Sequence, residues 1–174
     1  MKSNFLYILF ALVLLTACGN SAKKDAKSTS DTVSISELKR ESQISNLPVL
    51  EAYYAVKDAL VASDVKLAEK KALLLAKAIK ADNLNGNILI MAEAIAGAPD
   101  IKDQRFEFEK LSREIYAMAK KSNFGDATIY RLYCPMAFDN KGAFWLSNDQ
   151  EIMNPYFGDQ MLHCGRLEET ITNQ

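Results

Sequence analysis

The sequence has little of what most catalytic centres need. Its 174 residues include one histidine, three cysteines and one tryptophan. It contains no Gly-x-Ser-x-Gly, no glycine-rich phosphate loop and no His-Glu-x-x-His, which are common signatures of hydrolases, nucleotide-binding enzymes and metalloproteases. The Cys-x-x-Cys motif of thioredoxin-like oxidoreductases is also missing. We therefore expect that the protein is not an enzyme.

The chain also lacks an excess of charge of either sign. Lys and Arg number 21 and Asp and Glu number 22, which gives a net charge of −1. No positive field is available to attract nucleic acid, so a role in nucleic-acid binding is not expected. Apolar residues make up 49% of the chain and charged residues 25%. This composition is typical of a globular domain with enough apolar side chains for a core.

No apolar run in the sequence is long enough to span a bilayer. The run from Phe5 to Leu15 is shorter than a transmembrane helix needs. It leads into Leu15-Thr16-Ala17-Cys18-Gly19, which resembles the bacterial lipobox, where a signal peptidase cuts before a cysteine that is then acylated. We predict a lipoprotein signal peptide over residues 1–17 and a lipid on Cys18 that holds the protein on a membrane. An ordinary signal peptide with a chance cysteine is the alternative.

These features predict where the chain lies and how it is divided. The folded part is expected in the periplasm of the cell envelope, with the outer membrane preferred over the inner as the site of the anchor. Residues 18–42 are rich in Ser, Lys, Asp and Thr, which predicts a flexible tether. Residues 43–174 are predicted to form a single domain.

Four segments of this domain carry apolar residues at three- and four-residue steps, the pattern of helices with one buried face. The first follows Asn46-Leu47-Pro48, with Asn46 as its cap, and Ser63-Asp64 caps the second. The third opens at Asp82-Asn83, and the fourth runs from near Pro99-Asp100 to about Ser122. Because short connections join the helices, we predict a mainly α fold, an antiparallel four-helix bundle.

After Gly125 the pattern changes, and we predict a small irregular, β-containing cap over about residues 126–167. Residues 129–133 and 143–146 are rich in strand formers and are separated by turn residues. A short helix after Ser147, a last strand over residues 160–164 and a frayed tail from Glu168 complete the predicted order.

Soft ligands for metal ions are concentrated in this cap. Cys134 and Met136 are two residues apart, as are Met161 and His163, so each pair projects to one side of an extended segment. Thiolates and thioethers favour Cu(I) and similar ions. If the two segments pair, the predicted ligands of a copper-like ion are Cys134, Met136, Met161, His163 and Cys164.

The cap carries the most specific motifs of the chain. They are Tyr133-Cys134-Pro135-Met136-Ala137, Gly142-Ala143-Phe144-Trp145-Leu146, Ile152-Met153-Asn154-Pro155-Tyr156-Phe157-Gly158 and Met161-Leu162-His163-Cys164-Gly165. Together they resemble a domain of unknown function from Gram-negative lipoproteins, also attached to some membrane-fusion adaptors of RND-type copper and silver efflux pumps. The resemblance extends from about Leu47 to Gly165. It implies a helix-rich periplasmic domain with a link to heavy-metal handling, and a metal-efflux or other envelope protein as a partner.

A second interpretation of the same residues stays open. Cys134 and Cys164 can form a disulfide, which an oxidising compartment favours, and the two methionines and His163 would then be packing or surface residues. The cap would be locked, and the protein would be a non-catalytic interaction or scaffold module of the envelope. The same two interpretations apply to the aromatic residues of the cap, which either pack the cap or cover a bound cation: Phe144, Trp145, Tyr156 and Phe157.

Overall fold

Four helices come first in the part of the chain that the structure describes. The computed structural model describes residues 46–84 and 86–173. Its helices are α1 (Leu47–Val61), α2 (Val65–Ala81), α3 (Gly86–Gly97) and α4 (Ile101–Ala119). Each helix packs against the next one along the chain, and α4 also contacts α1. The predicted signal peptide, tether and lipidated Cys18 lie outside the described residues.

The predicted helix starts are partly confirmed. The side chains of Asp64 and Asp100 accept hydrogen bonds from the backbone N–H groups of Leu67 and Asp103, as N-caps do. Asn46 makes no such bond, because its Nδ2 instead donates to Ser122 Oγ at 2.9 Å, just after α4. The prediction that Asn46 caps α1 was therefore wrong.

The third helix also starts later than predicted. Asp82 and Asn83 end α2, with Asn83 at φ +50° and the Leu84 N–H donating to the Ile79 carbonyl. A left-handed residue followed by this bond is a common way to close a helix. Since these two residues terminate α2, α3 begins only at Gly86.

The apolar stripes meet in one core. Buried side chains come from all four helices and from the strands that follow. The largest fully buried ones include Leu50, Tyr53, Phe108, Ile115 and Trp145. Lys57 lies within the α1 stripe and is 5% exposed, and its ammonium reaches Asp58 Oδ1 at 2.7 Å.

A small antiparallel sheet follows the helices. Its strands are β1 (Ile129–Cys134), β2 (Ala143–Ser147) and β3 (Arg166–Ile171), in the order β2-β1-β3. The first two strands confirm the prediction. After β2, the hydroxyl of Ser147 accepts from the backbone N–H of Asp149, so a turn forms in place of the predicted short helix.

The predicted last strand and frayed tail were wrong. Residues 158–164 form a 3₁₀ turn and further turns, and the strand lies beyond them, at Arg166–Ile171. Glu169 holds this strand on the helices, since its carboxylate accepts from Lys120 Nζ at 2.6 Å and from Tyr116 Oη at 2.7 Å. Both bonds lower the pKa of Glu169. Because Glu169 contacts residues far away in sequence, no local pattern predicted this strand.

A buried chain of hydrogen bonds joins the sheet to the helices. The N–H of Leu146 in β2 donates to Tyr53 Oη on α1 at 3.1 Å. Ser112 Oγ on α4 donates to the Phe108 carbonyl at 2.9 Å, so the hydrogen of Tyr53 points to Ser112 Oγ at 2.7 Å. Burial raises the pKa of Tyr53, which keeps this donor protonated. The outer edge of β2 is thereby covered, as exposed strand edges usually are.

We expect Gly142→Ala to lower the free energy of unfolding by about 2–4 kcal/mol. Gly142 has φ +77°, and a Cβ there would overlap the ring and hydroxyl of Tyr133 in β1. Urea denaturation measures the effect. Gly97→Ala is the control, because a Cβ at the end of α3 meets no atom within 4 Å. Equal stability of the two variants would contradict this account of the turn.

Candidate functional site

Pairing of β1 with β3 brings the two cysteines of the cap together. Cys134 is the last residue of β1 and is fully buried, whereas Cys164 lies two residues before β3 and is partly exposed. Tyr133 pairs with Arg166 in the sheet, which fixes the two segments side by side. The two Sγ atoms are 3.2 Å apart, and both cysteines are free thiols.

This distance lies between the sulfur–sulfur distances of two chemical states of the pair, a disulfide and two thiolates bound to one metal ion. A disulfide needs about 2.0 Å between the sulfurs. Two thiolates on one metal ion, with bonds of about 2.3 Å and a tetrahedral angle, lie about 3.8 Å apart. The sulfurs of Cys134 and Cys164 must approach by about 1 Å to bond, or separate by about 0.5 Å to share a metal ion. Either change is small.

The hydrogen bond with Cys134, followed by burial, raises the pKa of the Cys164 thiol. At neutral pH Cys164 therefore keeps its proton. Thiolates are the form that coordinates metals and attacks disulfides, so a proton must leave before either reaction.

A buried amide, Asn154, sets the position of Cys164. Asn154 is 0% exposed, and its Nδ2 donates to the Cys164 carbonyl at 2.8 Å. Its Oδ1 accepts from the Tyr156 N–H at 2.9 Å. Its backbone N–H and carbonyl bond to Leu162 and Gly158. All the hydrogen-bonding groups of this residue serve the loop that carries Cys164. From the sequence, Asn154-Pro155 indicated only a turn.

Arg105 on α4 ties the same loop to the helices. Its Nε donates to the Pro155 carbonyl at 2.8 Å, and its Nη2 donates to Ser63 Oγ and to the Leu60 carbonyl at the end of α1. Gly158 fits against these groups, where a Cβ would have no room. Burial lowers the pKa of Arg105. This role could not be found in the sequence, because Arg105 resembles any other charged residue on a helix.

Met136 and Met161 face a cleft of about 450 Å³. The cysteines are not among the residues that line it. Lys102 and Arg105 line the same cleft, and among the described residues Asp139 is the one that adds a carboxylate there. A metal cation would meet unfavourable charge beside the thioethers.

His163 lies on the surface beside Cys164. Its Nδ1 is 3.0 Å from the Ile152 carbonyl. Because a carbonyl only accepts, Nδ1 carries the hydrogen, and in the neutral form of the ring the lone pair is then on Nε2. This arrangement is the usual one for a histidine that binds a metal through Nε2.

The aromatic side chains of the cap pack onto the helices. Trp145 is fully buried, with its ring edge-on to Tyr156 at 6.0 Å, and Tyr156 lies 6.1 Å from Phe108 on α4. The cation over Phe144 is the guanidinium of Arg131, 4.2 Å from the ring centre. For Trp145 and Tyr156, these contacts agree with the packing interpretation.

Among residues 46–84 and 86–173, no three His, Cys, Asp or Glu side chains come close enough together to hold a metal ion. A zinc site with four protein ligands does not fit this set. No helix in these ranges has the length and apolar character of a membrane span.

Comparison with known proteins finds a family match over the helical part of the chain. Residues 49–126 match the model of a family described as a protein of unknown function, DUF3347. The matched segment covers the four helices and ends before β1, so the cysteine pair lies outside it. This match agrees with the predicted helical domain of unknown function. No curated protein and no solved structure matches the chain.

We expect Asn154→Ala to lower the free energy of unfolding by about 2–4 kcal/mol, since it leaves buried partners without hydrogen bonds. It should also slow the closure of a Cys134–Cys164 disulfide under a fixed oxidant. Urea denaturation and timed thiol trapping measure the two effects. Asn148→Ala, at an exposed position, is the control. Unchanged closure in Asn154→Ala would show that Asn154 does not position Cys164.

Proposed function

We propose that the chain is a lipid-anchored accessory protein of the periplasm that binds a soft heavy-metal ion such as Cu(I). It sequesters the ion or passes it to an efflux protein, and its four helices form an antiparallel bundle that carries the cap. The observation that supports this function is the contact of two thiols, 3.2 Å apart, from segments 30 residues apart in sequence.

The donor set matches a copper-like ion better than zinc. Two thiolates from Cys134 and Cys164 would hold the ion, and soft sulfur ligands select Cu(I). His163 is an auxiliary ligand in this proposal, and its loop would have to move to bring Nε2 to the ion, since no three His, Cys, Asp or Glu side chains converge in the described ranges. Met136 and Met161, which line a cleft with Lys102 and Arg105, would contribute less to the affinity than the two cysteines.

We expect reduced, anaerobic protein to take up one Cu(I) in competition with a colorimetric chelator. Cys134→Ser or Cys164→Ser should weaken the affinity by more than about 100-fold, since even loss of a group that only orients a ligand costs up to about that factor. Met136→Leu and Met161→Leu, which conserve volume, should weaken it by less than about 10-fold.

Two variants serve as controls for this titration. Met118→Leu tests a methionine on α4, and Cys18→Ser tests a cysteine outside the pair. Both should bind as the unchanged protein does. Failure to take up Cu(I), or uptake that survives Cys134→Ser, would refute the proposed function.

The second candidate is a scaffold of the envelope whose cap is locked by a Cys134–Cys164 disulfide. The complete burial of Cys134 favours it, because a metal ion would have to reach a sulfur that solvent does not. Oxidation would remove two protons and two electrons, which a disulfide of an exchange partner accepts as it is reduced to two thiols. Closing a loop of about 31 residues is worth roughly 3–4 kcal/mol in the chain-entropy model.

Mass spectrometry of a non-reduced digest separates the two candidates. Protein is taken from cells grown with copper, and free thiols are alkylated at lysis. Metal binding predicts alkylated Cys134 and Cys164. A linked Cys134–Cys164 peptide as the main form under copper load would favour the scaffold and count against the metal site.

A further inference from the structure

The outer face of α2 is unusual for a helix that packs on a core. Its 17 residues include five lysines and one glutamate. Three leucines on it are exposed: Leu67 is 36% exposed, Leu73 55% and Leu74 49%. Single exposed leucines are common. Three on one helix that also carries an excess of positive charge make a surface that is both apolar and basic.

The positions along α2 place apolar and basic groups side by side. Leu67 and Leu74 are seven residues apart, so they lie above one another on the same side of the helix. Lys70 and Lys77 have the same spacing and lie along one flank of the leucines, and Lys71 lies along the other flank. An apolar stripe between basic flanks is the pattern of helices that rest on a bilayer surface.

Most of the positive charge on this face is uncompensated. Lys66 pairs with Glu69 at 2.9 Å, and Lys80 pairs with Glu93 of α3 at 2.8 Å. Within the described ranges, Lys70, Lys71 and Lys77 have no hydrogen bond or ion pair. Clusters of lysines on an amphipathic helix are attracted to anionic lipid headgroups.

We propose that the outer face of α2 rests on a membrane surface that contains anionic lipid, with Leu67 and Leu74 at the headgroup boundary and Lys70, Lys71 and Lys77 among the lipid phosphates. Charge complementarity selects this occupant, since α2 carries a net charge of +4, five lysines against one glutamate. The proposal does not depend on the metal site, because it uses no residue of the cap.

A tryptophan placed on the face tests the contact. The full chain with Leu74→Trp is incorporated into phosphatidylcholine vesicles with brominated acyl chains, with or without phosphatidylglycerol. The native Trp145 is fully buried and supplies a constant background. Bromine quenches tryptophan only at short range, so we expect phosphatidylglycerol to increase the quenching of the introduced tryptophan at least about twofold.

Two controls locate the effect on α2. Leu167→Trp puts the reporter on β3 at a position of similar exposure, since Leu167 is 41% exposed and Leu74 49%. Phosphatidylglycerol should not increase the quenching of this tryptophan. In the Leu74→Trp chain, Lys70→Glu with Lys77→Glu should abolish the increase. Lys121→Glu with Lys141→Glu, which makes the same change in net charge elsewhere, should retain most of it. Raising the salt from about 50 to about 500 mM should reduce it, by the screening expected for surface charges.

Three outcomes would overturn the proposal. Equal quenching of the Leu74→Trp chain with and without phosphatidylglycerol excludes recognition of the anionic headgroup. No quenching of the introduced tryptophan in either vesicle excludes membrane contact. A fluorescence response of the Leu74→Trp chain to poly-glutamate in solution, without a response to vesicles, assigns the face to an acidic protein.

Discussion

The hydrogen bonds of one buried side chain, Asn154, determine the geometry of the candidate site. The amide gives and accepts bonds within a loop that has no regular structure of its own, and Arg105 fastens that loop to the ends of the helices. Together with the pairing of Tyr133 and Arg166, these bonds hold Cys164 near the end of β1. The closeness of the two thiols is therefore a product of polar groups satisfied inside the protein, where a lost bond is costly.

The helices could be predicted from the sequence, because each carries a stripe that repeats with the helical period. Their ends were predicted where a side chain caps its own helix, as Asp64 and Asp100 do. The prediction failed where the side chain serves a distant group, as Asn46 does with Ser122. β3 was missed for the same reason, because Glu169 is held by residues about 50 positions earlier.

For the site, sequence reasoning selected the two cysteines but not the residues that position them. The two cysteines meet, as pairing of their segments required. Met136 and Met161 line a cleft with Lys102 and Arg105, which no spacing rule could reveal. Asn154 and Arg105 could not have been selected, since neither has a local pattern that differs from an ordinary turn or helix surface. Arg105 acts across 50 residues and Asn154 within its own loop, so the position of Cys164 depends on polar contacts that no sequence pattern marks.

The position of Cys134 at the end of the central strand has a mechanical consequence. β1 is bonded on both sides, so its sulfur is the fixed member of the pair. When the distance between the sulfurs changes, Cys164 is therefore the residue expected to move. The segment that carries Cys164 leads into β3, where Glu169 bonds to Lys120 at the end of α4. One short strand thus joins the cysteine pair to the ion pair of Glu169 with Lys120, so a shift of Cys164 moves the start of the strand that carries Glu169.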